Sequence, residues 1–258
     1  MNEMQGPKFL ESVTIIEDRV PSFDAWPYSL PYVRPLDLEF KSAVTFFVGE
    51  NGSGKSTLIE AIAHRCGLPV SGGGKTEGAD LHGPEAGSAL AAAVRASFIK
   101  RPKDGFFVRA EFLAHFASLL EQREADPDFL GDPYGLYGGR SLHTRSHGEA
   151  FFALVRHRIR SGVILMDEPE SALSPQRQLS LLTFMADMVS QGDVQFIVAT
   201  HSPILLTFPR ADIVNFDRPE LPSIKLDETS HFQITRDVLA NPKQFWRHLL
   251  DNGPSAAE

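Results

Sequence analysis

The 258-residue chain is poor in several things, and each shortage excludes a class of protein. Its single cysteine, Cys66, rules out an intrachain disulfide and a cysteine zinc site, and fits a reducing compartment. No stretch approaches the ~18 apolar residues of a membrane-spanning helix. Met1 to Val20 carries Glu3, Glu11, Glu17 and Asp18 and no apolar run of signal-peptide length, so the expectation is a cytoplasmic protein. The glycosylation triplet Asn51-Gly52-Ser53 is then silent. Basic residues are outnumbered, 25 against 33, for a net charge of −8, so the chain as a whole has no electrostatic reason to wrap nucleic acid. Repeats and low-complexity tracts are also missing.

What remains is an ordinary globular composition, 42% hydrophobic and 22% charged, long enough for one large domain over residues 1–258. Val13 to Ile16 and the alternating Leu36, Leu38 and Phe40 predict an antiparallel flap around a Pro- and aromatic-rich loop, Pro21 to Pro35. Ala43 to Val48 is a continuous apolar run, suited to a strand buried on both faces. Ser56 to Arg65 has helical spacing and stops at Gly67 and Pro69. From residue 70 to 150 the composition turns Gly- and Ala-rich, with a helix expected over Glu111 to Arg123, which predicts an inserted helical subdomain. Strand, helix and strand then resume at Val163 to Met166, Pro175 to Ser190 and Phe196 to Ala199. The fold class is α/β, a mostly parallel sheet flanked by helices.

Gly49-Glu50-Asn51-Gly52-Ser53-Gly54-Lys55-Ser56 fits G-x-x-x-x-G-K-[ST] between a predicted strand and a predicted helix. Such glycines let backbone N–H groups turn toward an anion, the helix N-terminus adds partial positive charge, and the lysine reaches the outer phosphates. Ser56 would place its hydroxyl on magnesium, and Thr57 follows it into the helix. A second run, Gly72-Gly73-Gly74-Lys75-Thr76, has Pro69 where the motif needs glycine and reads as a linker.

The variable residues Glu50, Asn51, Gly52 and Ser53 make this loop resemble those of ABC-type ATPases, including SMC and RecF-like chromosome proteins. Val163-Ile164-Leu165-Met166-Asp167-Glu168 looks like a Walker B strand, with both acids at the carboxyl edge. The resemblance implies that Asp167 holds magnesium through water and Glu168 polarises the attacking water. Ser146-His147-Gly148-Glu149 lies where the signature motif falls, with His147 in place of a glycine and Glu149 in place of glutamine. The same four residues read equally as a helix capping box. Ser146, Gly148 and Glu149 would face a nucleotide held by another subunit, so the resemblance implies a homodimer with composite sites.

Glu170 to Ser174 falls where the D-loop does, with Ser174 in place of the usual aspartate. His201 resembles the switch histidine that contacts the γ-phosphate. Catalysis therefore falls to Glu168, Lys55 and His201, with ATP and Mg2+ as cofactors. Trp26, Tyr28 and Tyr32 are adenine-stacking candidates, or core. No Q-loop glutamine stands between Gly67 and Glu111. Arg140, Arg145, Arg156, Arg158 and Arg160 form a basic island that suits a solvated helix face with one or two residues near ATP phosphate, a partner protein or DNA. The motif order matches stand-alone bacterial AAA/ABC-type ATPases. Three loads stay open: a soluble regulatory or genome-maintenance switch, the energising subunit of a membrane transporter, and a non-hydrolysing ATP-dependent interaction module.

Overall fold

The computed structural model describes residues 6–75, 88–109, 120–127, 131–135, 139, 141 and 147–251. Its first strand, Leu10–Ile15 (β1), buries Leu10 and Val13 and pairs antiparallel with Asp37–Glu39 (β2), setting Val13 opposite Leu38. The flap is as expected, with Tyr28, Tyr32 and Val33 of its connecting loop buried. Val44–Val48 (β3) is buried at every residue, and Lys55–Cys66 (α1) follows it. Cys66 is an inert core residue of α1, its thiol pushed up to about 12 by burial.

The stretch after residue 70 corrects the expectation of a helical insertion beginning there. Gly73–Gly74 (β4), the short helix Ala89–Ala93 (α2), Val94–Phe98 (β5) and Gly105–Arg109 (β6) add strands to both sheets. β5 pairs antiparallel with β1, which makes β1 the middle strand of three. The helix expected over 111–123 falls mostly outside the described residues; among the described ones, 120–125 is helical.

The chain continues with His147–Arg158 (α3), Gly162–Asp167 (β7), Pro175–Gln191 (α4), Val194–Ala199 (β8) and Asp212–Asn215 (β9). Two helices, Ser230–Ala240 (α5) and Pro242–Asp251 (α6), follow. The six-stranded sheet runs β4-β6-β7-β8-β3-β9, parallel except for β4, so five strands open their carboxyl ends on one edge.

Side-chain alternation splits the core between the two faces of that sheet. Phe46, Ile164, Met166, Phe196 and Val198 pack with Phe151 and Val155 of α3 and Leu181 and Met185 of α4. Phe47, Leu165 and Ile197 pack with Leu58, Ile59 and Ile62 of α1 and with Leu10, Val13 and Leu38 of the flap. Each such side chain contributes about 1.5–3 kcal/mol on burial. One polar residue sits in β8: Gln195, fully buried, accepts from the N–H groups of Phe9 (3.0 Å) and Leu10 (2.8 Å) and donates to the Leu10 carbonyl (2.9 Å). It ties the antiparallel sheet to the parallel one.

Candidate functional site

The parallel strands deliver their carboxyl-terminal residues to one edge. The loop 49–54 leaves β3, Asp167 and Glu168 end β7, His201 follows β8, Arg109 ends β6 and Asp217 follows β9. Strand register aligns Arg109 with Asp167, and Asp167 with Ala199.

In the glycine loop, Gly49 (φ 146°) and Gly54 (φ 93°) adopt conformations that L side chains avoid. Neither has room for one: an added Cβ on Gly54 would lie 2.7 Å from Tyr32 Cε1, and on Gly49 2.9 Å from Asp217 Oδ1. Tyr32 supports the turn by donating its hydroxyl to the Gly54 carbonyl at 3.0 Å, and Asp217 Oδ1 accepts from Glu50 N–H at 2.7 Å. Gly54 caps α1 without any side-chain hydrogen bond, and no acid occupies the first turn, so the helix N-terminus keeps its donors for an anion.

Lys55, only 5% exposed, folds its ammonium over the loop, donating to the carbonyls of Gly49 (2.7 Å) and Glu50 (2.9 Å) and to Ser53 Oγ (3.4 Å). Burial pulls its pKa down, against the nearby carboxylates of Glu168, Asp217, Asp167 and Glu50.

Ser56 donates its hydroxyl to Asp167 Oδ1 at 3.0 Å, so the two expected magnesium ligands converge. A hydroxyl and a carboxylate at the end of a phosphate-type loop are hard oxygen donors that fit Mg2+. Burial pushes the Asp167 carboxyl above its usual range, and the Arg109 guanidinium, 3.7 Å from Oδ2, acts against that push, as does Ser56. Arg109 is itself anchored by Glu60 (2.7 Å) and the Val70 carbonyl (3.2 Å).

Glu168 takes a left-handed backbone, φ 48° and ψ 52°, ahead of Pro169, which costs about 1–3 kcal/mol for a non-glycine residue. Its N–H bonds the Ala199 carbonyl at 3.0 Å, and its own carbonyl accepts from Ser171 N–H and Oγ. The turn leaves the carboxylate 47% exposed, on the cleft. His201 Nε2 lies 3.6 Å from Glu168 Oε1, and His201 N–H donates to Glu170 Oε1 at 2.5 Å. The D-loop-like segment thereby holds the histidine, and its Ser174 caps α4 by accepting from Arg177 N–H.

The cleft over the loop is lined by Trp26, Leu30, Asn51, Gly52, Gly54, Lys55, Ser56, Thr57 and Glu168. Of the three stacking candidates, Tyr28 and Tyr32 are buried with their hydroxyls bound to the carbonyls of Ala89 and Gly54, whereas Trp26 is 73% exposed on the cleft. The signature-like residues stand apart from it. Gly148 and Glu149 begin α3, where Gly148 packs so closely on Arg177 that a Cβ would lie 2.5 Å from its Cδ, and Glu149 is 3.9 Å from Arg177. Ser146, like Arg140 and Arg145, lies outside the described residues. Within the basic island, Arg156 lies over Phe152 and Arg158 sits between Phe106 and Asp104.

Sequence reasoning missed Arg109, Asp217 and His231, whose Nε2 lies 2.8 Å from His201 Nδ1. Only Asp217 had a local signal, as an acid just past the apolar run of β9.

Known proteins resemble this chain in consistent ways. Residues 28–106 match a family model described as "AAA domain", and residues 94–207 match one described as "AAA domain, putative AbiEii toxin, Type IV TA system". The OLD nuclease of Thermus scotoductus is 32% identical over 101 residues, 39% of this chain but only 18% of that protein. The cytochrome c biogenesis ATP-binding export protein CcmA of Rhodopseudomonas palustris is 26% identical over 187 residues, 66% of this chain and 85% of that protein. A solved structure described as "An inward-facing conformation of a putative metal-chelate type ABC transporter" shares the fold at TM-score 0.51 and 16% identity, covering 89% of this chain and 88% of that one. Taken with a glycine loop, a buried lysine, a serine–aspartate pair and a strand-end glutamate on one edge, the likenesses to AAA-domain models and to an ABC-type ATP-binding protein support a P-loop ATPase.

Proposed function

We propose that the chain binds Mg-ATP at this edge, hydrolyses it, and uses nucleotide-driven dimerisation to switch a partner, in a regulatory or genome-maintenance role. The observation that carries the reading is the convergence of Lys55, Ser56, Asp167, Glu168 and His201 at the carboxyl end of one parallel sheet. Lys55 would exchange its loop carbonyls for the outer phosphates. Ser56 and Asp167 would hold Mg2+, which supplies positive charge on the phosphate oxygens. Glu168 would orient and deprotonate water, a role worth ~10² to 10⁴ in rate. Trp26, which lines the cleft, would stack on the base, and His201 would donate to the terminal phosphate.

Turnover and nucleotide affinity measured on two variants test this. Lys55→Ala should abolish binding or turnover. Glu168→Gln should bind ATP and hydrolyse it at least about tenfold more slowly. Undiminished turnover in Glu168→Gln would sink the general-base assignment.

A second reading, the ATP-binding subunit of a transporter, draws support from the coverage of CcmA, 85% of whose length the chain matches. The described residues contain no helix long and apolar enough to cross a membrane, and this reading would set the chain to work on a membrane partner. Affinity capture of ATP-locked Glu168→Gln from detergent-solubilised cells, with and without nuclease, separates the two. An integral membrane partner supports transport; a soluble partner or a nuclease-sensitive assembly supports regulation or genome maintenance.

A further inference from the structure

His231 lies in the first turn of α5, a helix whose N-cap Thr229 accepts from Phe232 N–H. Its Nε2 is 2.8 Å from His201 Nδ1, and the two rings meet edge to face, centroids 4.9 Å apart at 62°. A hydrogen bond between neutral imidazoles needs an N–H on one ring and a lone pair on the other, so only two arrangements exist. If His201 Nδ1 donated, its Nε2 would turn a lone pair toward Glu168 Oε1, 3.6 Å away, acceptor against acceptor. If His231 Nε2 donates, His201 carries its proton on Nε2 and turns an N–H toward that carboxylate.

Both outer nitrogens, His201 Nε2 and His231 Nδ1, are buried without a hydrogen-bond partner among the described residues, so each arrangement strands one N–H, and only the second aims it at a carboxylate. Burial draws both imidazoles below their usual pKa, for His201 with the help of the Lys55 ammonium, which disfavours an imidazolium able to donate from both nitrogens.

We propose that His231 is a positioning residue: it fixes His201 in the Nε2–H tautomer, so that a donor, and not a lone pair, meets the terminal phosphate of bound nucleotide. The inference rests on the reading of His201 as the γ-phosphate contact. With Glu170 holding the His201 main chain and His231 holding Nδ1, the ring is fixed from two sides. The ATP site thereby extends to a C-terminal helix that carries none of the recognised motifs. The logic is that of a metal-bound or triad histidine, whose second ring nitrogen is held by a partner that sets the first.

The test is long-range proton–nitrogen NMR on protein with 15N-labelled imidazoles, His201 being assigned by its loss in His201→Gln. The wild type should show His201 protonated at Nε2 and bare at Nδ1. In His231→Phe, which keeps a ring and removes the donor, His201 should become a tautomer mixture. Its kcat should fall about tenfold while affinity for a fluorescent ATP analogue changes less than about threefold. His231→Gln, whose amide N–H can reach the same place, should restore both tautomer and kcat. A proton on His201 Nδ1 in the wild type overturns the proposal, as does a His231→Phe protein with unaltered tautomer and kcat. The wild-type spectrum decides even where a variant fails to fold. A wild type with the expected tautomer but no ATP turnover would instead overturn the proposed function.

Discussion

Asp167 sits where burial opposes its charge, and Arg109 is the cation placed to keep that charge available. Removing the guanidinium leaves a buried carboxylate that is easier to neutralise and a poorer ligand for a divalent ion. Arg109→Ala should therefore weaken magnesium-dependent binding of a fluorescent ATP analogue about tenfold while magnesium-free binding stays within about twofold. Equal losses with and without magnesium would mean that Arg109 merely supports the loop. At this scale the sequence was legible wherever a motif is contiguous: Gly49 to Ser56 and Asp167 with Glu168 announce their chemistry to their neighbours in the chain. Arg109 and His231 do not. The first acquires its role from the register of β6 on β7, the second from a helix that begins about thirty positions after His201. The exposed Trp26 was named in advance, but only packing could separate it from Tyr28 and Tyr32, which have the same composition-level signal.

Between elements, Gln195 joins the two sheets through three hydrogen bonds in a place where water cannot substitute. Gln195→Met fills the same volume and leaves two N–H groups and a carbonyl without their partner, at about 1–3 kcal/mol for each buried group left unmade. Urea denaturation should show a loss of about 3 kcal/mol, with turnover at 25 °C unchanged; a loss under about 0.5 kcal/mol would mean that the sheets are joined by apolar packing alone. The elements that sequence revealed are those with a strong single period: β3, α1, β7, α4 and β8 fall within two residues of the expected bounds. β5 was hidden because Val94 to Phe98 continues an alanine-rich run whose first half is indeed helical. β4, two glycines long, carries no side-chain pattern at all and exists only through its pairing with β6.

For the whole molecule, Gly148 and Glu149 stand apart from the lined cleft, and the proposed composite site would bring those of a second copy to it. Glu168→Gln should run as a monomer without nucleotide and as a dimer with Mg-ATP in size-exclusion chromatography with light scattering. A monomer under both conditions would remove the composite site. The arrangement of the smaller sheet carries one more consequence. Because β1 is its central strand, a polypeptide cut or initiated after Ile16 would retain β2 and β5 with no strand between them, each offering an unsatisfied edge to other chains. Such a fragment keeps every nucleotide-binding motif, yet it should collect in the insoluble fraction, so damage near the amino end would register as aggregation and not as a slower enzyme.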